Sequence, residues 1–355
     1  MKDQSNIKIG FFTRYDRLGA SSRLRFFSYA KLLKQNSGFD CEVYPFFSDD
    51  YLKKFYSTGK KSFFAFLASL FRRFGQIFSC RAKFLVIEYE LLPFLPFWVE
   101  KLLLRNKKYV LDFDDWVWSK YKDTLFCRGK FDKLISSAAG VIAANDLIFD
   151  RCRQLNQNCI KIPTTVDKAA LENGEAIKFD NYTIVWIGTP TTYRKHLMPL
   201  GDTLRRLTEK FDYQLLVLSA LPLPDIHGVN CRFVEWSENT QYRYLRGAQV
   251  GIMPLPADDD FAAGKSAYKL IQYQAAGIPE VASDIGENRV VLADGVTGFL
   301  ASTPEKWLEA LTRLHADGVL REQMAAAASR AGRKYFLQEN LAVYSGFLKK
   351  CFETE

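Results

Sequence analysis

The sequence predicts an α/β protein built on two parallel sheets, and three observations carry that prediction. Short apolar runs of strand length alternate with longer stretches of helical periodicity along nearly the whole chain. The alternation breaks once, over Pro163–Asp180, where Pro, Thr, Asn, Gly and Lys replace any period, and then it resumes. A chain of 355 residues is also too long for one ordinary α/β domain and comfortable for two.

In the first half the strand candidates are Lys8–Thr13, Cys41–Phe46, Phe84–Tyr89, Tyr109–Phe113, Gly140–Ala144 and Cys159–Ile162. Helical patterns lie between them at Ser21–Lys34, Ser62–Phe78, Pro96–Arg105, Lys130–Ala138 and Asn145–Asn156. In the second half the strands are Tyr182–Ile187, Gln214–Ser219, Cys231–Val234, Val250–Pro254, Ile278–Ser283 and Gly298–Ala301. Thr303-Pro304-Glu305 then starts a helical tail, because proline at the first helical position forfeits no needed N–H and the acid faces the positive helix end. Strand–helix alternation at this spacing means parallel sheets with helices on both faces, hence two Rossmann-like domains with a ligand cleft at the C-terminal strand ends. The expected boundaries are an N-terminal domain at 1–165, a linker at 166–180, a C-terminal domain at 181–330 and a helix at 331–355 packing back on the first domain. Glu280 stands where a strand core would take valine.

Composition narrows the class. Apolar residues make up 48 % and charged residues 25 %, which fits a packed core and excludes disorder as the main state. The balance of 49 Lys and Arg against 40 Asp and Glu gives +9, which points to anionic partners. Seven cysteines form no C-x-x-C pair and three histidines are scattered, so the chain reads as reduced and cytosolic, with no disulfide scaffold or zinc site. The start, MKDQSNIKIGFF, is charged and then strand-like, so no signal peptide is expected.

Two stretches look able to hold a phosphate. Gly264-Lys265-Ser266-Ala267-Tyr268-Lys269 follows a strand and the acidic run Asp258-Asp259-Asp260, and it reads as the opening of a helix that Gly277 and Pro279 close. Free N–H groups and the helix dipole favour an anion there, and Lys265 and Lys269 share a face. A surface lysine pair on an amphipathic helix is the alternative. The second stretch is Trp186-Ile187-Gly188-Thr189-Pro190, where glycine after a strand lets backbone approach a ligand and Arg194 and Lys195 follow. Such a glycine also serves simply to make a turn.

The run GKSAYKLIQYQAAGIPEVASDIGENRVVLADGVTGFLAS resembles the donor-binding region of retaining glycosyltransferases of family 4, which have the GT-B fold. The shared parts are a helix ending in Ala275-Ala276-Gly277, a following Pro279, a strand ending at Ser283, the Gly286-Glu287 turn and the D-G-x-x-G-F-L motif ending at Leu300. Upstream the likeness takes in Trp236, Glu238 and Val250–Leu255, and Gly19–Arg23, Asp112–Asp115 and Ile162–Asp167 are similar to first-domain and hinge motifs. The family's paired glutamates correspond to Gly264 and Gln272 here; its Arg and Lys clamp corresponds to Thr189 and Lys195. The resemblance therefore implies donor binding by Gly188, Thr189, Lys195, Ser266, Lys269, Gln272 and Gly286, with Lys265 reaching the diphosphate as a catalytic group. It places Asp114 at the family's catalytic histidine.

Read alone, Asp112-Phe113-Asp114-Asp115 suggests ligation of Mg²⁺ or Mn²⁺ by hard oxygen ligands. In a chain of two Rossmann-like domains, Asp114 and Asp115 more readily orient sugar or acceptor hydroxyls, and no metal is expected. One Asp capping a helix with the others solvated is the alternative. Gly19, Ser21 and Arg23, after the first strand, are candidates for lining the acceptor side, or for a capped helix with exposed arginines.

Between Lys53 and Lys83 stand eight basic residues, Lys60, Lys61, Arg72 and Arg73 among them, and no acidic one. Interleaved Phe and Leu at helical spacing fit an interfacial membrane helix, with Phe and Leu on one side and cations at the ends. A buried helix with solvated ends, or a nucleic-acid surface, are the competing readings, and no nucleic-acid motif accompanies the segment. The expectation is a metal-independent retaining hexosyltransferase, peripheral on the cytoplasmic face of the membrane. It would use a nucleotide-diphosphate sugar, no other cofactor, and a lipid-linked or polysaccharide acceptor. A non-catalytic sugar-nucleotide or glycan-binding scaffold on the same fold is the alternative.

Overall fold

The computed structural model describes residues 7–36, 38–256 and 264–353; the run Asp258-Asp259-Asp260 and residues 1–6 lie outside them. The chain divides into two compact units, Met1–Thr164 with Asn340–Glu355, and Thr165–Glu339. Each is built on one six-stranded sheet, parallel throughout.

In the first unit the strands are β1 (Ile7–Tyr15), β2 (Phe39–Phe47), β3 (Phe84–Glu88), β4 (Lys108–Phe113), β5 (Gly140–Ala143) and β6 (Cys159–Lys161), in the order β2-β1-β3-β4-β5-β6. The central strands are buried on both faces, which is why they read as unbroken apolar runs. Ile77, Leu85, Ile87, Leu111, Phe113 and Leu134 form the core on one face. From Asn340 onward the helix Leu337–Glu353 packs within the same unit: Tyr344 stacks on Tyr29 at 4.1 Å between ring centroids and Phe352 on Phe84 at 4.7 Å. Sheet growth reverses direction between β1 and β3, which opens a crevice at the C-terminal ends of those two strands.

The second unit holds β7 (Thr183–Ile187), β8 (Gln214–Ser219), β9 (Cys231–Glu235), β10 (Val250–Met253), β11 (Glu280–Ser283) and β12 (Gly298–Ala301), in the order β12-β11-β10-β7-β8-β9. Here the reversal falls between β7 and β10. Alternation along β7 divides its side chains: Val185 and Ile187 enter one core, Ile184 and Trp186 the other. Residues 166–180 are part of this unit. Val166 N–H donates to the Tyr335 carbonyl (2.9 Å), Asp167 caps the helix Lys168–Glu172, and Ile177 N–H donates to Arg243 O (2.9 Å).

Glu280 is buried within β11. Its Oε1 accepts from Gln274 Nε2 (2.8 Å) and Thr297 Oγ1 (3.2 Å), and burial holds its carboxyl well above the usual range, which favours the neutral form that a strand core accepts. That resolves the sequence conflict with a strand core.

Candidate functional site

The two units repeat one local device. In each, the helix after the first strand contains a π-helical turn, Arg23–Phe27 after β1 and Tyr193–Leu197 after β7. Such turns carry one extra residue per turn and re-aim side chains, which is why they recur at functional sites.

In the second unit the edge at the β7–β10 reversal is assembled from three connections. The helix Tyr268–Ala276 brings Lys269 Nζ to 5.5 Å from the centre of the Trp186 ring in β7. Ser283 Oγ, ending β11, accepts from Leu255 N–H (2.9 Å) and donates to Leu255 O (3.0 Å) beyond β10. Asn288 Nδ2 donates to Ser283 O (2.9 Å), fixing the turn through Gly286, which adopts φ 51°.

The helix begins at Tyr268, four residues later than the sequence suggests. Ala267 stands before it at φ 50°, a left-handed conformation that interrupts a continuous helix from Gly264. Lys265 and Ser266 therefore lie in a turn ahead of the helix, Ser266 buried and Lys265 half-buried, and only Lys269 occupies the first helical turn. Gly277 ends the helix at φ 71°, in the left-handed stop its sequence position indicates.

Three expected donor residues already have local roles. A Cβ on Gly188 would lie 2.8 Å from Thr192 Oγ1 and against the Trp186 ring, so glycine is required there by packing. Thr189 Oγ1 caps the next helix by accepting from Thr192 N–H (3.3 Å). Gln272 is buried, its Nε2 donating to Gln241 Oε1 (3.0 Å), which also accepts from Trp236 Nε1 (3.1 Å). Lys195 is exposed on the π-helical turn.

The first unit concentrates buried charge at the ends of β3 and β4. Glu90 accepts from Arg14 Nη1 (3.2 Å), Lys120 Nζ (3.0 Å), Lys130 Nζ (2.8 Å) and Tyr121 Oη (2.8 Å). Burial disfavours its charge, but Lys120, Lys130 and Arg14 outweigh that and hold its carboxyl down at about 2. Lys130 also pairs with Glu100 at 2.6 Å, and Glu100 accepts the backbone N–H groups of Leu91 and Leu92. Arg25, from the π-helical turn, reaches Asp112 with Nε (2.5 Å) and Ile162 O with Nη1 (3.0 Å). Burial opposes the Arg25 charge, yet Asp112 more than offsets it, so the guanidinium holds its proton more tightly than usual. Asp114, almost fully buried, accepts the phenol of Tyr89, a residue strained at φ 58°.

Asp114 and Asp115 thus lie in one unit and Lys265 in the other. Among the described residues no group of three His, Cys, Asp or Glu side chains is placed to hold a metal ion. Gly19 is packed so that a Cβ would crowd Tyr15, Arg23 is buried and donates to Arg17 O (2.7 Å), and Ser21 is half-buried. Sequence reasoning missed Glu88, Glu90 and Lys130. The available signal was the pair of glutamates in V-I-E-Y-E, charges closing an otherwise apolar strand.

The basic aromatic segment forms the helices Asp49–Thr58 and Phe63–Ser79. The second presents Phe64, Phe71 and Phe78 outward, at 81 %, 75 % and 77 % exposure, with Phe63 beside them. Lys60 and Lys61 are exposed just before it, and Arg72 is exposed while donating to Phe46 O. Arg73 is a correction to the sequence reading: it points inward, not to the surface. Its Nη1 donates to Tyr44 O (2.7 Å) and its Nη2 to Thr13 O (2.5 Å), and it lies over the Phe12 and Phe46 rings. Burial, with Arg72 nearby, lowers its pKa to about 9. Trp98, Leu102, Leu125 and Phe126 are further exposed apolar residues of this unit. No described helix is long and apolar enough to cross a membrane.

Residues 181–317 match the family described as glycosyl transferases group 1. Phosphatidyl-myo-inositol mannosyltransferase of Mycobacterium tuberculosis (strain H37Rv) is 27 % identical over 235 residues, covering 61 % of this chain and 59 % of that protein. The same-named protein of Mycobacterium leprae is 28 % identical over 231 residues, with 61 % and 59 % covered. The chain thus spans about three fifths of the length of these curated relatives. Sucrose-phosphate synthase from Thermosynechococcus elongatus superposes with a TM-score of 0.68 at 13 % identity, covering 97 % of this chain and 98 % of that one. Anabaena HepE in complex with UDP and glucose gives 0.65 at 11 % identity, covering 96 % and 99 %. The fold is GT-B, and the chain resembles the GT-B glycosyltransferases of family 4.

Proposed function

We propose that the chain transfers a hexosyl group from a nucleotide-diphosphate sugar to a lipid-linked or polysaccharide acceptor, with retention of configuration and without a metal. The observation that carries this reading is the placement of Lys269 over Trp186 at the β7–β10 reversal, with Gly188 packed against the same ring. A breaking glycosidic bond leaves growing negative charge on the departing diphosphate, and preorganised cations lower the barrier by meeting it there. Lys265, Lys269 and Lys195 take that role, with the N–H of Ser266 beside them. Gln272, its amide nitrogen engaged by Gln241, faces the ribose with its carbonyl oxygen. In the first unit Asp114 and Asp115 orient the acceptor hydroxyl, and Gly19, Ser21 and Arg23 line its approach.

Of the two acceptors we favour the lipid-linked one, with the protein peripheral on the cytoplasmic face of an anionic membrane and nucleic acid no partner. Support comes from the outward Phe64–Phe71–Phe78 stripe with Lys60, Lys61 and Arg72 around it, and from the lipid named in the mannosyltransferase relatives. Each cation near such a surface contributes on the order of 1 kcal/mol, and each Phe leaving water contributes about 1.5–3 kcal/mol.

Turnover of Lys265→Ala tests the donor site: it falls strongly while the fold persists, and unchanged turnover removes Lys265 from the site. The engagement of Gln272 by Gln241 favours a second reading, a sugar-nucleotide-binding scaffold without catalysis. Binding of a nucleotide sugar with neither transfer nor hydrolysis selects that reading.

A further inference from the structure

The loop that follows β3, residues 89–96, is pinned from inside and carries an aromatic ring on its outside. Glu100 accepts the N–H groups of Leu91 (3.0 Å) and Leu92 (2.9 Å), and Lys130 Nζ donates to Leu92 O (2.6 Å). The Tyr121 phenol donates to Glu90 (2.8 Å) and accepts the Phe94 N–H (2.8 Å). Phe94 is thereby fixed at φ 64°, a left-handed backbone that a bulky residue adopts only under constraint. Its ring nevertheless stands exposed, so the constraint does not serve to fill a core.

That ring joins two features of the first unit. On one side it meets Phe66 edge-on, at 5.7 Å between centroids, and Phe66 lies on the helix Phe63–Ser79 one turn from the exposed Phe63. On the other side it meets Tyr121 at 5.6 Å, and Lys120 Nζ stands 5.6 Å from its centre. Lys120, and Arg14 at the end of β1, both contact Glu90, and burial is graded across this group. The Lys120 and Arg14 side chains are 25 % and 13 % exposed, whereas Glu90 is 1 % exposed and Lys130 is closed off from water. A ligand coming from solvent therefore meets the ammonium and the guanidinium, with the carboxylate behind them. A guanidinium carries five N–H donors and an ammonium three, so each can take a further oxygen while it keeps Glu90.

We infer that the acceptor is a phosphorylated lipid, its phosphate received by Lys120 and Arg14 at the β1–β3 reversal and its first chain carbons lying over Phe94 and Phe66 toward the helix Phe63–Ser79. This rests on the reading of the first unit as the acceptor side and of that helix as membrane-facing. Cations partly withdrawn from water make strong charge-assisted hydrogen bonds to phosphate, and an aromatic surface that is already rigid covers chain carbons with little ordering cost. Tyr89, the neighbour of Glu90 in sequence, holds Asp114, so the phosphate site and the carboxylate assigned to the acceptor hydroxyl stand at adjacent strand ends.

Calorimetric titration of the full chain with soluble single-chain probes tests it. Decyl phosphate below its micelle concentration binds about tenfold or more tightly than ethyl phosphate, as a few covered methylenes require. It also binds about tenfold more tightly than decyl glucoside, as hydrogen bonds to charged groups require. Lys120→Gln brings decyl phosphate down to the affinity of decyl glucoside. Phe94→Asn, in which asparagine accepts the left-handed backbone, weakens decyl phosphate and leaves ethyl phosphate unchanged, a split that a merely structural role would not produce. Equal affinity for decyl phosphate and decyl glucoside, equal affinity for decyl and ethyl phosphate, or wild-type binding in both variants overturns the inference. The probes need neither vesicles nor turnover. Probe binding as described in a protein that ignores anionic vesicles supports the phosphate site and overturns only the membrane reading; vesicle binding with no preference for decyl phosphate does the reverse. Should Lys120→Gln not fold, Phe94→Asn decides.

Discussion

Lys269 holds its ammonium 5.5 Å from the centroid of the Trp186 ring, tying the first turn of the helix Tyr268–Ala276 to the strand at the middle of the second sheet. The contact holds a cation at the β7–β10 reversal, over a Trp186 that is itself fully buried in the core with Ile184 and Tyr193.

Lys269→Ala is expected to cost about 0.5–2 kcal/mol of stability, the worth of a cation–π contact, and to weaken nucleotide-sugar binding more than that loss accounts for. Trp186→Ala removes a large core side chain and costs about 3–5 kcal/mol. Urea denaturation and calorimetric titration of the same samples separate the two effects.

Arg73 and Phe71 sit on opposite faces of one helix, so their substitutions should behave oppositely. Arg73→Ala strands two buried carbonyls and opens a cavity, and is expected to cost several kcal/mol, at about 1–3 kcal/mol per unsatisfied buried group. Phe71→Ser leaves stability within about 0.5 kcal/mol, as for most surface changes, and reduces sedimentation with anionic vesicles. Vesicle binding that survives Phe64→Ser/Phe71→Ser/Phe78→Ser would contradict the membrane assignment.

Lys130 lies between Glu90 and Glu100, all three buried. Lys130→Met leaves the buried carboxylate charges of Glu100 without a cation and of Glu90 with Arg14 and Lys120 alone, and should cost about 3–5 kcal/mol. Adding Glu100→Gln restores part of the loss, because it removes one of those charges. Equilibrium unfolding of the single and double variants checks this.

Glu280 imposes a pH dependence of known sign. Its folded pKa lies above the unfolded value of 4.5, so the folded state binds the extra proton and this contribution to stability is complete below pH 4.5. It is lost as pH rises. Glu280→Gln, which cannot ionise, should therefore be more stable than the wild type at pH 8, with the difference closing toward pH 4.5. Melting temperatures across that range read it directly.

The strands were legible because parallel strands buried on both faces are written as apolar runs bounded by turns, and all twelve strands of the described residues fall at the runs the sequence marks. What escaped depends on partners far away in sequence. Whether Arg73 faces lipid or core is decided by the carbonyls of Thr13 and Tyr44, and nothing in R-R-F states it. Glu90 is held by residues on both sides in sequence, from Arg14 to Lys130, so its spacing carries no motif. Gly188 looked like a phosphate turn, but its smallness answers to Trp186 two residues earlier. The helix start was misplaced at Gly264 because a left-handed alanine at 267 has no sequence signature, unlike a glycine.

The most direct measurement is a thermal-shift screen of the folded protein against UDP-, GDP-, ADP- and TDP-sugars, repeated on Lys265→Ala/Lys269→Ala. One nucleotide sugar at about a hundred times its Kd should stabilise the wild type by about 2.7 kcal/mol and raise its melting temperature by several degrees, with the shift lost in the double variant. A wild type indifferent to every sugar nucleotide, or a double variant that responds as the wild type does, would contradict the account.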